Sequence, residues 1–173
     1  MLRVDTLQDL FLAAETLTRF RANRSERLTI LTNGGGAGVM AADAAAWAGV
    51  KLAQLGEATR QQLDAVLPAN WSHGNPVDII GDAPVARYEQ ALKILNADPA
   101  AGALLFIHAP TAIVPSADIA RALVPLAQHD GFSPPRLMSC WLGEPAVAEA
   151  RGIFQGADIA NYDTPEQAVR AFA

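Results

Sequence analysis

The residues best placed to do chemistry lie in one short stretch, Asn33-Gly34-Gly35-Gly36-Ala37-Gly38. An apolar, β-branched run, Leu28 to Thr32, precedes it and reads as a buried strand. The alanine-rich run from Ala37 to Ala48 follows it and reads as a helix, with Val39, Met40 and Trp47 as its bulky packing residues. A strand, a glycine loop and a helix in that order bare backbone N–H groups at a helix N-terminus and let an anion come close to them. A tight turn would use the same glycines. The position favours the binding role, because open α/β sheets take their ligands at the C-terminal ends of the strands.

Two familiar nucleotide loops do not fit. A Walker loop needs Lys followed by Ser or Thr after its glycines, whereas Gly38 is followed by Val39 and Met40. The dinucleotide fingerprint would place its third glycine at Val39, and Leu52 to Leu55 offers no acid for a ribose. The loop suits a small anion.

Elsewhere the candidates are single residues with ordinary structural explanations. His108 ends an apolar strand and could be a phospho-acceptor or a general base, but spacing fixes no second acid or base beside it. A structural role with a ring nitrogen bonded to backbone is the alternative. His73 lies in a loop at the opposite end of the sheet, and His129 reads as a surface cation after a helix. Asp82 suits a helix N-cap and Asp78 a tie to neighbouring loop amides. The hydroxyls of Thr32, Thr111 and Ser116 lack a nucleophile elbow. Cys140, the lone cysteine, reads as a buried small hydrophobe. No complete catalytic constellation can be assembled.

The elements that must position these residues follow a regular alternation. Thr6 to Phe20 is expected to be a helix, with Leu7, Leu10, Phe11, Ala14 and Leu17 on its packing face and Thr6 as its cap. A charged linker, Arg19 to Glu26, leads into the first strand. Further strands are expected at Val50–Leu55, Val77–Ile80, Ala103–Ile107, Leu137–Leu142 and Ile159–Asn161. Helices are expected at Glu57–Leu67, from Asp82 and Pro84 to Asn96, from a Ser116 cap with Asp118 in its first turn, at Pro145–Phe154, and after Thr164-Pro165. Apolar strands alternating with helices imply a parallel sheet covered on both faces. The expected fold is therefore α/β and flavodoxin-like, a three-layer sandwich with about five strands in the order 2-1-3-4-5. That order would gather the 33–38 loop, the Gly81–Pro84 turn and the 108–116 loop around one crevice.

Composition narrows the class. At 173 residues, 51% hydrophobic and 18% charged, the chain is globular and long enough for a single core. A formal charge of −5 argues against a nucleic-acid surface. No apolar run reaches the length of a membrane span, and no leader is visible, so the expected location is cytoplasmic.

Three ordered motifs carry a family resemblance across essentially the whole chain. They are Leu31-Thr-Asn-Gly-Gly-Gly-Ala-Gly-Val-Met-Ala-Ala-Asp43, Gly74-Asn-Pro-Val-Asp-Ile-Ile-Gly-Asp-Ala83 with Tyr88 following, and Ile107-His-Ala-Pro110. The sequence resembles the ADP-forming acyl-CoA synthetases, the acetate–CoA ligase group related to succinyl-CoA synthetase. The resemblance implies a flavodoxin-like ligase module, residues 1–173 with an N-terminal helix at 6–20 and a core at 27–173, excised from a larger enzyme. That enzyme would convert acyl-CoA, ADP and phosphate into acid, ATP and CoA, through acyl phosphate and a phosphohistidine carried by another domain.

By that resemblance, Asn33, Gly34, Gly35, Gly36, Gly81, Asp82, His108, Pro110, Thr111 and Ala112 are contacts to acyl substrate and phosphate, and none is a nucleophile. The module would bind no cofactor or metal alone. CoA, ATP or ADP, and Mg belong to the whole enzyme, which is expected to be oligomeric. Its partners would be the CoA-binding, phosphohistidine-bearing and ATP-grasp domains of the same enzyme. Two other readings compete with this one: a metabolite-sensing module of a protein lysine acetyltransferase, and a stand-alone flavin-binding protein. The absence of Ser and Thr from residues 33–38 speaks against the flavin.

Overall fold

The chain alternates strand and helix because its apolar residues come in short continuous runs, separated by helical runs with one apolar side. In the computed structural model, Val4 and residues 6–20, 25–128 and 136–173 are described. His129, and the linker residues Arg21 and Arg24, lie outside them. The strands are β1 (Arg27–Thr32), β2 (Lys51–Leu52), β3 (Val77–Asp78), β4 (Ala103–His108), β5 (Leu137–Trp141) and β6 (Ala160–Tyr162). The helices are α1 (Leu7–Arg19), α2 (Gly35–Ala48), α3 (Glu57–Val66), α4 (Val85–Ala97), α5 (Ser116–Gln128), α6 (Ala148–Gly156) and α7 (Pro165–Phe172), with a short 3-10 turn at Pro99–Ala101.

All pairings are parallel and the sheet runs β2-β1-β4-β5-β6. The three-layer, flavodoxin-like class is as expected, but the third strand is not where the 2-1-3-4-5 order put it. β3 is two residues long and pairs with the end of β1, Leu31 opposite Val77 and Thr32 opposite Asp78. β4 pairs with β1 along the register from Leu28 to Thr32. β2 holds the start of β1 through Arg27 and Leu28. β2 and β3 thus divide a single edge of β1 between them.

The gap between those two short strands is filled by a side chain. Asn75 Nδ2 donates to Leu28 O at 2.9 Å and to Ala53 O at 3.0 Å, and Asn75 Oδ1 accepts from Ile30 N at 3.0 Å. A buried backbone group without a partner is costly, so this amide does what a longer neighbouring strand would have done.

Side-chain alternation sends β1, β4 and β5 into two cores. Leu31, Leu104, Phe106, Leu137 and Trp141 pack with α3 to α6. Leu28, Ile30, Leu105, Ile107, Met138 and Cys140 pack with α2 and α7. Cys140 is fully buried, and burial pushes its thiol up to about 12, which suits an inert packing residue. Thr6 caps α1 and Thr164 caps α7, each accepting from the amide three residues on.

Four local expectations are corrected. α4 begins after Pro84, and Asp82 pairs with Arg87 in place of capping. Ser116 is the first residue of α5, and its hydroxyl meets His108. The face of α1 expected to pack inward, with Leu7, Leu10, Phe11 and Leu17, is exposed. Val39, Met40 and Trp47 on α2 are exposed too, because the small Ala41, Ala44 and Ala45 face the core.

Asn75→Ala should destabilise the chain by about 2–4 kcal/mol, since it strands polar groups of β1 and of Ala53 at once. Urea unfolding followed by circular dichroism measures this. A change below about 0.5 kcal/mol would mean that water replaces the amide without loss.

Candidate functional site

The glycine loop is folded by the residue before it. Thr32 Oγ1 accepts from Gly34 N at 3.0 Å and donates to Gly34 O at 3.2 Å. Gly34 is the N-cap of α2 and supplies no side chain, and the first turn carries no acid. The first helical hydrogen bond runs from Gly38 N to Gly34 O at 3.1 Å, so the amides of Gly35, Gly36 and Ala37 precede it. That is the positive end of the helix dipole.

Three loops meet there, although they follow different strands. Asn33 is buried, and its amide clasps the backbone of Ala109: Nδ2 donates to Ala109 O at 2.8 Å and Oδ1 accepts from Ala109 N at 2.9 Å. The β1 loop is thereby fixed to the β4 loop. Gly81 packs on the same loop, since a Cβ placed on it would meet Asn33 O at 3.6 Å. Asn33 therefore holds the site together, and its own polar atoms are already engaged.

The two outer glycines differ. A Cβ on Gly35 would come within 3.0 Å of Asp78 Oδ2, while one on Gly36 would meet nothing within 4 Å. The open approach to the helix end lies at Gly36. Asp78 occupies the other side, with Oδ1 accepting from Ile80 N at 2.9 Å. Ile80 itself has φ of 68°, a conformation that β-branched residues rarely adopt.

The remaining predicted residues are spread around this centre. Pro110 and Ala112 are exposed and Thr111 is half-buried, with Thr111 Oγ1 accepting weakly from Ile113 N at 3.4 Å. Asp82 is exposed and turned to Arg87. His108 is fully buried and not on the rim. Its Nε2 lies 3.0 Å from Ser116 Oγ, a side chain and not the backbone, and its ring sits among those of Tyr88, Phe106 and Trp141. Its Nδ1 and the neighbouring Trp141 Nε1 have no partner in the structure. Burial lowers the His108 pKa to about 4, so the ring is neutral near pH 7. It shapes the start of the 109–115 loop from beneath and touches nothing outside. His73 is exposed, bonded to Asp64 and to Ala69 O.

Asp78 ties down the loop amide of Ile80 as expected, and it also abuts Gly35. The Thr32 hydroxyl, read only as lacking a nucleophile elbow, folds the glycine loop. One contributor escaped the sequence reading: Gly143, at φ of 79°, packs on Pro110 from the β5 loop. Its signal was its place, a glycine directly after a buried strand at the ligand edge of the sheet. Among the described residues no cluster of His, Cys, Asp and Glu could hold a metal ion. No helix there is long and apolar enough to cross a membrane.

A glycine loop at the C-terminal edge of a parallel sheet, clasped to its neighbouring loops, gives an α/β module with unbonded helix-start amides at that edge. The family model described as the Ligase-CoA domain matches residues 28–169, and the chain belongs to that family. It is 35% identical over 173 residues to the ADP-forming acetate–CoA ligase I of Archaeoglobus fulgidus, covering 100% of this chain and 24% of that protein. It is 28% identical to the alpha subunit of the corresponding Pyrococcus furiosus ligase, covering 100% of this chain and 37% of the subunit. Its fold matches the dinucleotide-forming acetyl-coenzyme A synthetase 1 of Ca. Korarchaeum cryptofilum, solved with phosphate and ADP. The TM-score is 0.90 at 33% identity, over 99% of this chain and 37% of that one.

The buried neutral ring of His108 makes stability depend on pH. An unfolded imidazole takes its proton near 6.5 and the folded one only near 4, so the contribution is full above 6.5 and is lost as pH falls towards 4. Melts compared at pH 7.5 and pH 4.5 should show His108→Gln losing less on acidification than the parent, by up to about 3 kcal/mol. Equal losses in both would place the acid sensitivity elsewhere.

Proposed function

We propose that this chain works as the anion-holding module of an ADP-forming acyl-CoA synthetase, the enzyme that interconverts acyl-CoA, ADP and phosphate with acid, ATP and CoA. The observation that carries this is the loop junction at the C-terminal end of β1. There, the first-turn amides of α2 are open at Gly36, and a buried Asn33 locks the loop in place. The relatives named above supply the reaction class.

Chemically, the module needs only to bind and orient. Phosphoryl oxygens of an acyl phosphate, or of a phosphorylated histidine brought from another domain, accept hydrogen bonds from helix N-terminal amides. Preorganised donors of this kind stabilise charge without a local acid or base. That fits a site in which the one histidine at the loop is buried and neutral. Pro110, Thr111 and Ala112 on the β4 loop would border the acyl group, and Gly81 would close the side towards β3. CoA and the adenine nucleotide with its Mg would be handled by the other domains. The chain spans about a quarter of the Archaeoglobus relative and somewhat over a third of the Pyrococcus alpha subunit. Those lengths leave room for the CoA-binding, phosphohistidine-bearing and ATP-grasp parts.

Gly36→Ala in the whole synthetase separates binding from folding. The new methyl meets no atom of the module, and Ala is the better helix former by about 0.5–1 kcal/mol. The thermal midpoint should hold or rise, while ATP formation from acyl-CoA, ADP and phosphate falls at least about tenfold. Full activity with a raised midpoint would reduce the loop to a turn.

A further inference from the structure

The apolar residues left uncovered are concentrated on one layer of the sandwich. Among the described residues, seven of the eight exposed large hydrophobics are on α1 and α2: Leu7, Leu10, Phe11 and Leu17, then Val39, Met40 and Trp47. These helices flank α7 on one side of the sheet. The layer formed by α3 to α6 leaves none of its large hydrophobics in that state.

Both helices are built for a neighbour. α1 is attached by polar groups: Thr16 Oγ1 meets Tyr162 Oη at 2.7 Å, Asp9 pairs with Arg170, and Arg19 Nη1 donates to Gln155 O at 3.2 Å. Leu12 packs on the core, while Leu7, Leu10 and Leu17 are exposed. Leu7, Leu10, Ala14 and Leu17 recur at steps of three, four and three, the seam of helix-on-helix packing, with Phe11 beside it. α2 is apolar on its inner and outer sides, the composition of a helix buried all round, and Trp47 is 85% exposed. A groove of about 390 Å³ between α1 and α7, lined in part by Leu12, Leu17 and Phe172, borders the seam. Trp47 and Phe11 alone leave on the order of 300 Å² of aromatic surface in water.

We infer that this α1/α2 face is the docking surface of the module, and that its occupant is a neighbouring module of the same synthetase presenting an apolar helix. The inference rests on the reading of the chain as part of such an enzyme. The two relatives named above, about four and nearly three times as long, carry the same module beside other protein. Val39 and Met40 lie within about one turn of Gly36, so the neighbour would dock beside the glycine loop.

Trp47 provides the test, because Trp71 and Trp141 are buried. Acrylamide quenching is measured on this chain alone and with the remaining synthetase modules supplied in cis or in trans. The accessible component should be present in the chain alone, and its quenching constant should fall several-fold in the assembled enzyme. A Leu10→Lys, Phe11→Glu pair should restore quenching there and release the module, while the midpoint of the chain alone stays within about 2 °C, as expected of surface changes. Unchanged quenching in an enzyme that makes ATP overturns the docking face alone. Shielding of Trp47 in an assembly without ligase activity would support the face and overturn the proposed reaction. A chain that dimerises by itself and shields Trp47 identifies a second copy as the occupant and overturns the proposal.

Discussion

Everything at the ligand edge depends on keeping the backbone of β1 fully hydrogen-bonded inside the protein. β1 is buried on both faces, so its N–H and C=O groups must find partners within the chain. On one side β4 provides them. On the other, β2, the Asn75 amide and β3 provide them in succession. Because β3 is displaced to the end of that edge, Asp78 and Gly81 arrive beside the glycine loop. A full-length strand on that side would have carried them past it. The same requirement that completes the sheet therefore assembles the site.

Asn33 extends this logic beyond the strand. Past Thr32 the two chains diverge, and a side-chain amide takes over where the ladder stops, donating to and accepting from Ala109. The glycines after it are then free to follow the geometry of the helix start, with Thr32 Oγ1 holding Gly34. A loop of flexible residues becomes rigid because its flanks are fixed. Such preorganisation lets backbone amides hold an anion without reorganising when it arrives.

Much of this was legible in the sequence. The apolar runs at Leu28–Thr32 and Ala103–Ile107 specify buried parallel strands whatever their neighbours. The glycine loop after the first of them marks the ligand edge, and Thr6 and Thr164 announce helix starts through chemistry that acts over three residues. The place of β3 was not legible, because a two-residue strand owes its position to a side chain 45 residues from its partner, Asn75 to Ile30. Asp82 and Ser116 were misassigned for a related reason. Each has a good local use as a cap, but a long-range partner, Arg87 for one and His108 for the other, takes the side chain. Local propensity yields where tertiary contact offers more.

The reversed α1 follows from a different limit. A periodic apolar stripe predicts that something will cover it, but not what, and within one module the stripe of α1 faces outward. The two layers of the sandwich divide the work accordingly. The α3–α6 layer, with the aromatic group of Tyr88, Phe106, Trp141 and Phe154, secures the sheet from within. The α1–α2–α7 layer packs alanines of α2 with Phe20, Val169 and Phe172 on its inner side and leaves Leu7, Leu10, Phe11, Leu17, Val39, Met40 and Trp47 exposed. The proposed role, holding an anion with backbone amides, requires the reacting groups to be delivered from elsewhere. On the proposed docking, burying the outward apolar residues of α1 and α2 would fix the orientation of the neighbour as well as its presence.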